Sequence, residues 1–182
     1  MIDAVLATDM DVHSSLQKEL VQRGARVSLG SSSDGYDIAS SNTTHAFDMT
    51  SNSERLMLLK CVLHAADISN PTRRFNDSSR LSLQIFEEFE RQTADEQTLG
   101  VPVTAHMVMP TFESKCRGEV GFIRFVARPY FVALAACFPD SKAAETWLPA
   151  IDSNIAAWER DPNLIHEEAA FGPRLSPLRS RE

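Results

Sequence analysis

Asp67 is the residue of this chain whose position best suits metal or phosphate chemistry. It lies in the segment HAADISNP, residues 64–71, three positions after His64 and at the end of an apolar stretch. Residues three apart on a helix project from one face, so His64 and Asp67 could serve one metal ion or one hydrogen-bond network. The alternative is a structural pair, in which His64 is buried or donates to Asp67 as a cap. The polar turn SNP that follows predicts a surface facing polar ligands.

A protein metal site needs about three or four protein ligands, so Asp67 alone is not enough. The other histidines are far apart in the sequence and show no metal-binding pairing, and we expect each to be solvated or structural: His13, His45, His106 and His166. The cysteines are odd in number and form no CxxC pair: Cys61, Cys116 and Cys137. This spacing argues against a thiolate zinc site and against a disulfide framework, and it favours a reducing compartment. We therefore expect a cytoplasmic protein.

The composition excludes some classes of partner. The net charge of −7 disfavours broad binding to nucleic acid or to an anionic membrane surface. No apolar run approaches the roughly 20 residues of a membrane span. With 182 residues, 43% of them hydrophobic, the chain can bury one sizeable core, so one domain or part of one is expected.

Apolar residues at helical intervals, with no alternating strand pattern, predict an all-α protein. A first helix is expected over residues 2–22, followed by a long Ser- and Gly-rich surface loop over about 28–52. Ser51 and Glu54 match a capping box. The helix after them should be deeply buried through its apolar residues and end near Asn70, before Pro71: Leu56, Leu59, Cys61, Val62 and Leu63.

The second half of the chain predicts three or four further helices. One runs over about 79–99 and ends at Gly100, with a buried side formed by Leu81, Leu83, Ile85, Phe86 and Phe89. Residues 111–126 look helical, and Pro129 is expected to begin or kink the next helix, which runs through Cys137. Asp140 or Ser141 can cap a last helix with apolar residues at Trp147, Ile151, Ile155 and Trp158. Residues 161–182 predict a disordered tail.

Three motifs occur in one order along the chain: ATDMDVH at residues 7–13, HAADISNP at 64–71 and GEVGFIRFVARP at 118–129. Together they closely resemble the C-terminal half of the catalytic domain of the class I 3',5'-cyclic nucleotide phosphodiesterases, over about residues 2–158. The resemblance implies a compact, all-helical, HD-type catalytic domain whose N-terminal helices are missing. Residues 1–160 would be the C-terminal part of that domain.

The resemblance also implies a two-metal site. Asp67 matches an acidic ligand of the tightly held metal, usually zinc, and the second metal is usually magnesium or manganese. In this family a metal-bridging hydroxide attacks the cyclic phosphate. His64 matches a position that does not contact the metal, so it would have a supporting role. The upstream HN and HD motifs are absent, so the metal site is incomplete and no catalytic residue is expected in this fragment.

The nucleotide pocket of the family is similarly matched. Ile85 and Phe122 align with the two apolar side chains that hold the purine between them. Glu119 stands where the family has a Gln that makes paired hydrogen bonds to the base. An ionised carboxylate only accepts hydrogen bonds, so one base contact is lost or inverted unless burial keeps the carboxyl protonated. The remaining expected pocket residues are Met10, Asn70, Phe86, Phe89 and Met107.

The resemblance predicts part of a phosphodiesterase that hydrolyses cyclic AMP, cyclic GMP or both. The alternative is a truncated, inactive helical module that binds partners, a homodimer being one candidate. For the isolated chain we expect no significant hydrolysis and marginal stability.

Overall fold

The computed structural model describes residues 2–30 and 45–160 of the chain. Within these ranges every regular element is helical, which confirms the predicted all-α class. The described residues contain seven α-helices, three short 3₁₀ turns and one π-helical turn. The predicted tail at 161–182 and most of the predicted loop lie outside the described residues.

The predicted helix over residues 2–22 is wrong, because the structure divides it in two. Helix α1 spans Ile2–Leu6 and helix α2 spans His13–Gly30, with a 3₁₀ turn at Met10–Val12 between them. Thr8 Oγ1 donates to the carbonyl oxygen of Val5 over 2.9 Å, and Asp9 Oδ1 accepts from the backbone N–H of Asp11 over 2.9 Å. Short polar side chains of this kind compete for backbone groups and end a helix. Helix α2 also runs past residue 28, where the loop was expected to begin.

Helix α3 spans Asn52–Asp67, as predicted, but the predicted capping box is wrong. Ser51 makes no side-chain cap bond, and Glu54 is bound by Arg23 of α2 instead. A two-pronged Arg–carboxylate bond is stronger than a bond to a backbone N–H, so the tertiary contact takes the carboxylate. The helix is also less buried than expected, since Leu59 and Val62 are 48% and 47% exposed.

Helix α4 spans Phe75–Leu99 and begins four residues earlier than predicted, after a 3₁₀ turn at Asn70–Thr72. Gly100 ends it in the left-handed conformation, with φ of 67°, as its residue type predicted. The predicted buried side is partly wrong, because Leu81 and Ile85 are exposed. The buried residues of α4 are instead mostly serines: Ser78, Ser79, Ser82 and Phe86.

A 3₁₀ turn at Ala105–Met107 leads to helix α5, Phe112–Phe122, whose N-terminus is a capping box between Thr111 and Ser114. A π-helical turn at Ile123–Ala127 joins it directly to helix α6, Arg128–Ala136. Pro129 lies in the first turn of α6, where its missing N–H does least harm, so it begins this helix as predicted.

Helix α7 spans Ala143–Trp158. Lys142 directly precedes it and makes no side-chain cap bond, and capping of this helix by Asp140 or Ser141 stays a prediction. The predicted apolar stripe is confirmed, since Ile151, Ile155 and Trp158 are buried and Trp147 packs against the core.

The core lies between α2 and α6, which pack along their lengths, with α3, α5 and α7 around them. Its largest fully buried side chains include Leu20, Tyr130 and Trp158. Tyr130 donates its hydroxyl to the carbonyl oxygen of Cys61 over 3.0 Å and so ties α6 to α3. This packing sets the position of the C-terminal end of α3, where Asp67 lies.

The structure contains no candidate membrane span among residues 2–30 and 45–160, since no helix there is both long and apolar enough.

Candidate functional site

An open cleft of about 340 Å³ lies where α3 ends and α4 passes it. It contains three of the predicted site residues, Asp67, Asn70 and Ile85. Asp67 is the last residue of α3 and is exposed, and Ile85 is 45% exposed, so both side chains can meet a ligand. The remaining lining residues are Ala66, Ser69, Arg73, Leu81, Gln84 and Glu88.

Arg73, Gln84 and Glu88 are cleft residues that the sequence analysis missed. A signal for two of them was present, because Leu81, Gln84, Ile85 and Glu88 recur at intervals of three and four and so share one face of α4. The apolar spacing predicted Leu81 only as a core residue, whereas the family resemblance also predicted Ile85 as a pocket residue. The cleft therefore combines a cation, two amides and two carboxylates with two large apolar side chains.

His64 is fully buried, and its two ring nitrogens are both engaged away from Asp67. Its Nδ1 lies 2.9 Å from the carbonyl oxygen of Ala7 and its Nε2 lies 2.9 Å from Nδ1 of His13. Burial lowers the pKa of His64, although the charge of Asp67 acts in the opposite direction. His64 can thus support Asp67 through the position of α3, without a hydrogen bond between the two side chains.

A buried polar chain connects Asn70 to Glu119 through Ser82. Nδ2 of Asn70 donates to Ser82 Oγ over 3.0 Å and to the carbonyl oxygen of Ser78 over 3.1 Å. Ser82 Oγ lies 2.8 Å from Glu119 Oε1. Ser82 is fully buried and Glu119 is 8% exposed. Sequence reasoning missed Ser82, because a serine on a predicted helix carries no signal of its partner on another helix.

The hydrogen bonds from Asn70 through Ser82 to Glu119 have two consequences for ligand chemistry. Burial raises the pKa of Glu119, and the hydrogen bond with Ser82 partly opposes that rise. Oδ1 of Asn70 is buried and has no hydrogen-bond partner among the described residues. A buried acceptor without a partner costs free energy, so a donor on a ligand would be favoured there.

The other predicted pocket residues are distributed over four elements. Phe122 is half-buried at the end of α5, one turn after Glu119. Phe86 is buried and meets the edge of Trp158, with ring centroids 6.4 Å apart, so it is also a core residue. Phe89 packs its ring against His106, at 6.0 Å between centroids. Met107 is half-buried in its 3₁₀ turn, whereas Met10 is 47% exposed.

A second cavity, of about 330 Å³, lies between α3, α6 and α7. Its lining is almost wholly apolar and includes Phe131, Leu134 and Trp147. It holds no titratable side chain, so it offers no chemistry comparable with that of the cleft at Asp67.

The described residues do not by themselves fit a metal ion. No group of three or more His, Cys, Asp or Glu side chains that could hold a metal is found in residues 2–30 and 45–160. Asp67 would be a single ligand, and His13 and His64 are occupied with each other.

The family model for 3'5'-cyclic nucleotide phosphodiesterase matches residues 1–146. A dual specificity calcium/calmodulin-dependent 3',5'-cyclic nucleotide phosphodiesterase 1B of Bos taurus is 31% identical over 134 residues, which is 74% of this chain and 21% of the relative. The 3',5'-cyclic-nucleotide phosphodiesterase regA of Dictyostelium discoideum is 32% identical over 113 residues, 62% of this chain and 14% of the relative. The chain thus spans about a fifth or less of the length of these curated relatives.

Solved structures give the same result. The phosphodiesterase domain of a rhodopsin phosphodiesterase from Salpingoeca rosetta matches with a TM-score of 0.68 and 30% identity. That match covers 91% of this chain and 45% of the other chain.

Proposed function

This chain belongs to the 3'5'-cyclic nucleotide phosphodiesterase family, and on that premise we propose that residues 1–160 form the C-terminal part of a catalytic domain in a longer protein. That protein hydrolyses cyclic AMP, cyclic GMP or both to the 5'-monophosphate. The chain would contribute most of the base-binding surface and one metal ligand. The remainder of the catalytic site would come from the part of the domain that this chain does not include.

The observation that carries the proposal is the cleft at the end of α3. Asp67 and Asn70 lie in the same cleft as Ile85, and Asn70 is linked through Ser82 to Glu119. A carboxylate for a metal and an apolar side chain for a base are thus close together, as a cyclic nucleotide with its phosphate and its purine requires. A cleft of about 340 Å³ falls within the range of small-molecule sites.

In this proposal Ile85 and Phe122 contact the two faces of the purine, and Glu119 meets its edge. Asn70 offers its unpartnered Oδ1 to a donor of the nucleotide. Met10, Phe86, Phe89 and Met107 form the wall of the pocket. Phe86 belongs to the hydrophobic core and Phe89 packs against that core. Their fixed positions would keep this wall of the pocket preformed.

Phosphodiesterases of this family generally use divalent metal ions. We propose zinc at Asp67, with magnesium or manganese as the second metal, only for the assembled site, since the described residues do not fit a metal alone. His64 would keep α3, and hence Asp67, in place through its bonds to His13 and Ala7.

The test uses the longer natural protein, obtained by sequencing the transcript upstream of residue 1. We expect this protein to hydrolyse cyclic AMP or cyclic GMP, and Asp67→Ala to abolish the activity. Asp95→Ala is the matched control, since Asp95 is an exposed acid on α4. Full activity of the Asp67→Ala protein would contradict the role of Asp67, and an inactive parent protein would contradict the function.

A second candidate, a helical binding or dimerisation module, is favoured by one observation. Helix α1 packs on α3, and the two helices expose several large apolar side chains, with Ile2 77% and Leu6 65% exposed. The others on these helices are Val5, Leu59 and Val62. Exposed apolar side chains clustered on neighbouring helices are typical of interaction sites. Sedimentation of the purified chain as a homodimer, together with a natural protein of this same length, would favour the module over the enzyme.

We also propose that the protein is cytoplasmic. Its three cysteines, Cys61, Cys116 and Cys137, are all free and buried, which is the usual state in a reducing compartment.

A further inference from the structure

The hydroxyl of Ser82 has more neighbours than it can serve with one hydrogen. Its oxygen lies 3.1 Å from the carbonyl oxygen of Ser78, 2.8 Å from Oε1 of Glu119 and 3.0 Å from Nδ2 of Asn70. A hydroxyl has one hydrogen to donate and two lone pairs to accept with. The amide of Asn70 only donates and the carbonyl of Ser78 only accepts, so the Ser82 hydrogen goes either to Ser78 or to Glu119.

Both arrangements leave Ser82 Oγ, Glu119 Oε1 and the Ser78 carbonyl each with a hydrogen-bond partner. If Glu119 is ionised, Ser82 donates to Oε1, and the Ser78 carbonyl still accepts from Asn70 Nδ2 at 3.1 Å. If Glu119 is protonated on Oε1, it donates to Ser82, and Ser82 donates to the Ser78 carbonyl. Only hydrogens change place between the two arrangements, and no heavy atom has to move. The site therefore accepts either protonation state of the carboxyl in one geometry.

The surroundings of Glu119 contain little that would fix its charge. On its own helix the buried thiol of Cys116 interacts with it electrostatically. The cations of α5 and of the segment that follows are bound to other carboxylates: Lys115 to Glu90, Arg117 to Glu113, Arg124 to Glu159 and Arg128 to Asp152. The acids Asp152 and Glu159 of α7 are thus paired as well. The pKa of Glu119 is therefore set mainly by its burial and by its hydrogen bond with Ser82.

We propose that Ser82 is a positioning residue for Glu119: its hydroxyl holds Oε1 in either protonation state and leaves Oε2 to meet the edge of a purine base. The assignment of Oε2 to a base rests on the proposed function, whereas the coupling of Ser82 to Glu119 does not. In both arrangements the hydrogen lies between Oε1 and Ser82, and a proton on Oε1 is favoured over one on Oε2 because Ser82 can then also donate to the Ser78 carbonyl, so Oε2 presents an acceptor. The base that fits therefore carries a donor at this edge, such as the exocyclic amino group of adenine or the ring N–H of guanine. A purine without such a donor leaves Oε2 unpaired and binds less well.

The coupling is tested on the 182-residue chain by infrared and carbon-13 spectroscopy of its carboxyl groups as a function of pH. Glu119→Gln identifies the signal of Glu119 by its loss. We expect Ser82→Ala to move the titration midpoint of that signal to higher pH, because the bond that Ser82 donates to the ionised carboxylate is stronger than the bond that it accepts from the protonated carboxyl. Ser82→Thr keeps the hydroxyl, so its Glu119 midpoint should equal that of the unsubstituted chain. This variant is also the one to measure if Ser82→Ala does not fold.

The matched control is Ser79→Ala, since Ser79 is a buried serine on the same helix whose hydroxyl lies 3.4 Å from the carbonyl oxygen of Asn76. We expect no change in the Glu119 signal. An unchanged midpoint in Ser82→Ala, or an equal change in Ser79→Ala, overturns the positioning role.

The proposed contact between Oε2 of Glu119 and a purine base is tested separately, by adding nucleotides. Cyclic AMP added to the chain should shift the Glu119 signal, and purine riboside 3',5'-cyclic monophosphate, which lacks the amino group, should need at least about tenfold higher concentration. A signal that responds to Ser82→Ala but to neither nucleotide keeps the coupling and overturns the role of Oε2 in base binding. Equal responses to the two nucleotides overturn the requirement for a donor.

Discussion

Nδ1 of His13 lies 2.9 Å from Nε2 of His64, while Nδ1 of His64 lies 2.9 Å from the carbonyl oxygen of Ala7. A carbonyl only accepts, so His64 carries its hydrogen on Nδ1 and its Nε2 accepts from His13 Nδ1–H. Protonation of His64 would reverse this bond, since His13 would have to move its hydrogen to Nε2 and accept at Nδ1. Both rings are buried against Tyr130, so their surroundings favour the neutral form of the pair.

The histidine pair predicts that the chain loses stability in mild acid. Burial lowers the pKa of both His13 and His64, and their mutual repulsion lowers that of His13 further. The unfolded chain therefore binds more protons than the folded chain once the pH falls below about 6.5, the ordinary pKa of histidine. We expect the free energy of unfolding to be constant above that pH and to decrease as the pH falls towards the lowered values. Urea unfolding followed by circular dichroism between pH 5 and 8 measures it.

His13→Gln should reduce this pH dependence, because it removes one of the two groups and the repulsion between them. His45→Gln is the control, since His45 is exposed and described outside any helix. An equal slope in wild type and His13→Gln would contradict the assignment to this pair.

We expect Arg23 to stabilise the folded chain where α2 meets α3, beside the predicted loop. It is 6% exposed, donates to the carbonyl oxygen of Ala46 over 2.8 Å and forms ion pairs with Glu19 and Glu54. Arg23→Ala should lower the free energy of unfolding by about 2 kcal/mol, less than the roughly 3 to 5 kcal/mol for breaking a fully buried pair, because both carboxylates keep contact with water. The denaturation midpoint measures this loss. Arg26→Ala, an exposed position on the same helix, should change stability by less than about 0.5 kcal/mol; similar losses in both variants would contradict the prediction.

Gly24 and Gly121 predict opposite effects of the same substitution. A Cβ at Gly24 would lie 2.7 Å from Cβ of Ala136 and 3.3 Å from its carbonyl carbon, where α2 and α6 touch. Gly24→Ala should therefore destabilise the chain by about 1 to 3 kcal/mol through overpacking. A Cβ at Gly121 meets nothing within 4 Å, so Gly121→Ala should stabilise α5 by about 0.5 to 1 kcal/mol. Thermal unfolding of the two variants checks the signs, and a stabilised Gly24→Ala would contradict the close packing of α2 on α6.

Glu119 predicts an effect on substrate binding in the longer, active protein. Glu119→Gln supplies a permanent donor beside an acceptor, so a base edge that offers both can make two hydrogen bonds. We expect KM to fall roughly tenfold, the value of about one buried hydrogen bond. Steady-state kinetics with cyclic AMP and cyclic GMP measure it. An unchanged KM for both nucleotides would show that this side chain does not face the base.

The sequence predicted the elements whose signals are local. The apolar spacing of α7 and the glycine after α4 depend on neighbours within one or two turns of helix, and both predictions are confirmed. The motif around Asp67 identified the family before any contact was known. Local signals failed where a distant partner competed, as at Ser51, whose expected capping partner Glu54 is taken by Arg23 from α2.

The amino-acid sequence by itself thus determined the helical class, the family and the position of Asp67 at a helix end. Only the tertiary structure decided which polar groups meet: His13 with His64 across 51 residues, and Ser82 with Glu119 across 37. The physical reason is that helical periodicity reports which face of a helix is apolar, whereas a hydrogen bond between helices depends on how those faces are packed. For the same reason Leu81, apolar and at a helical interval, was predicted to face the core and lies in the cleft instead.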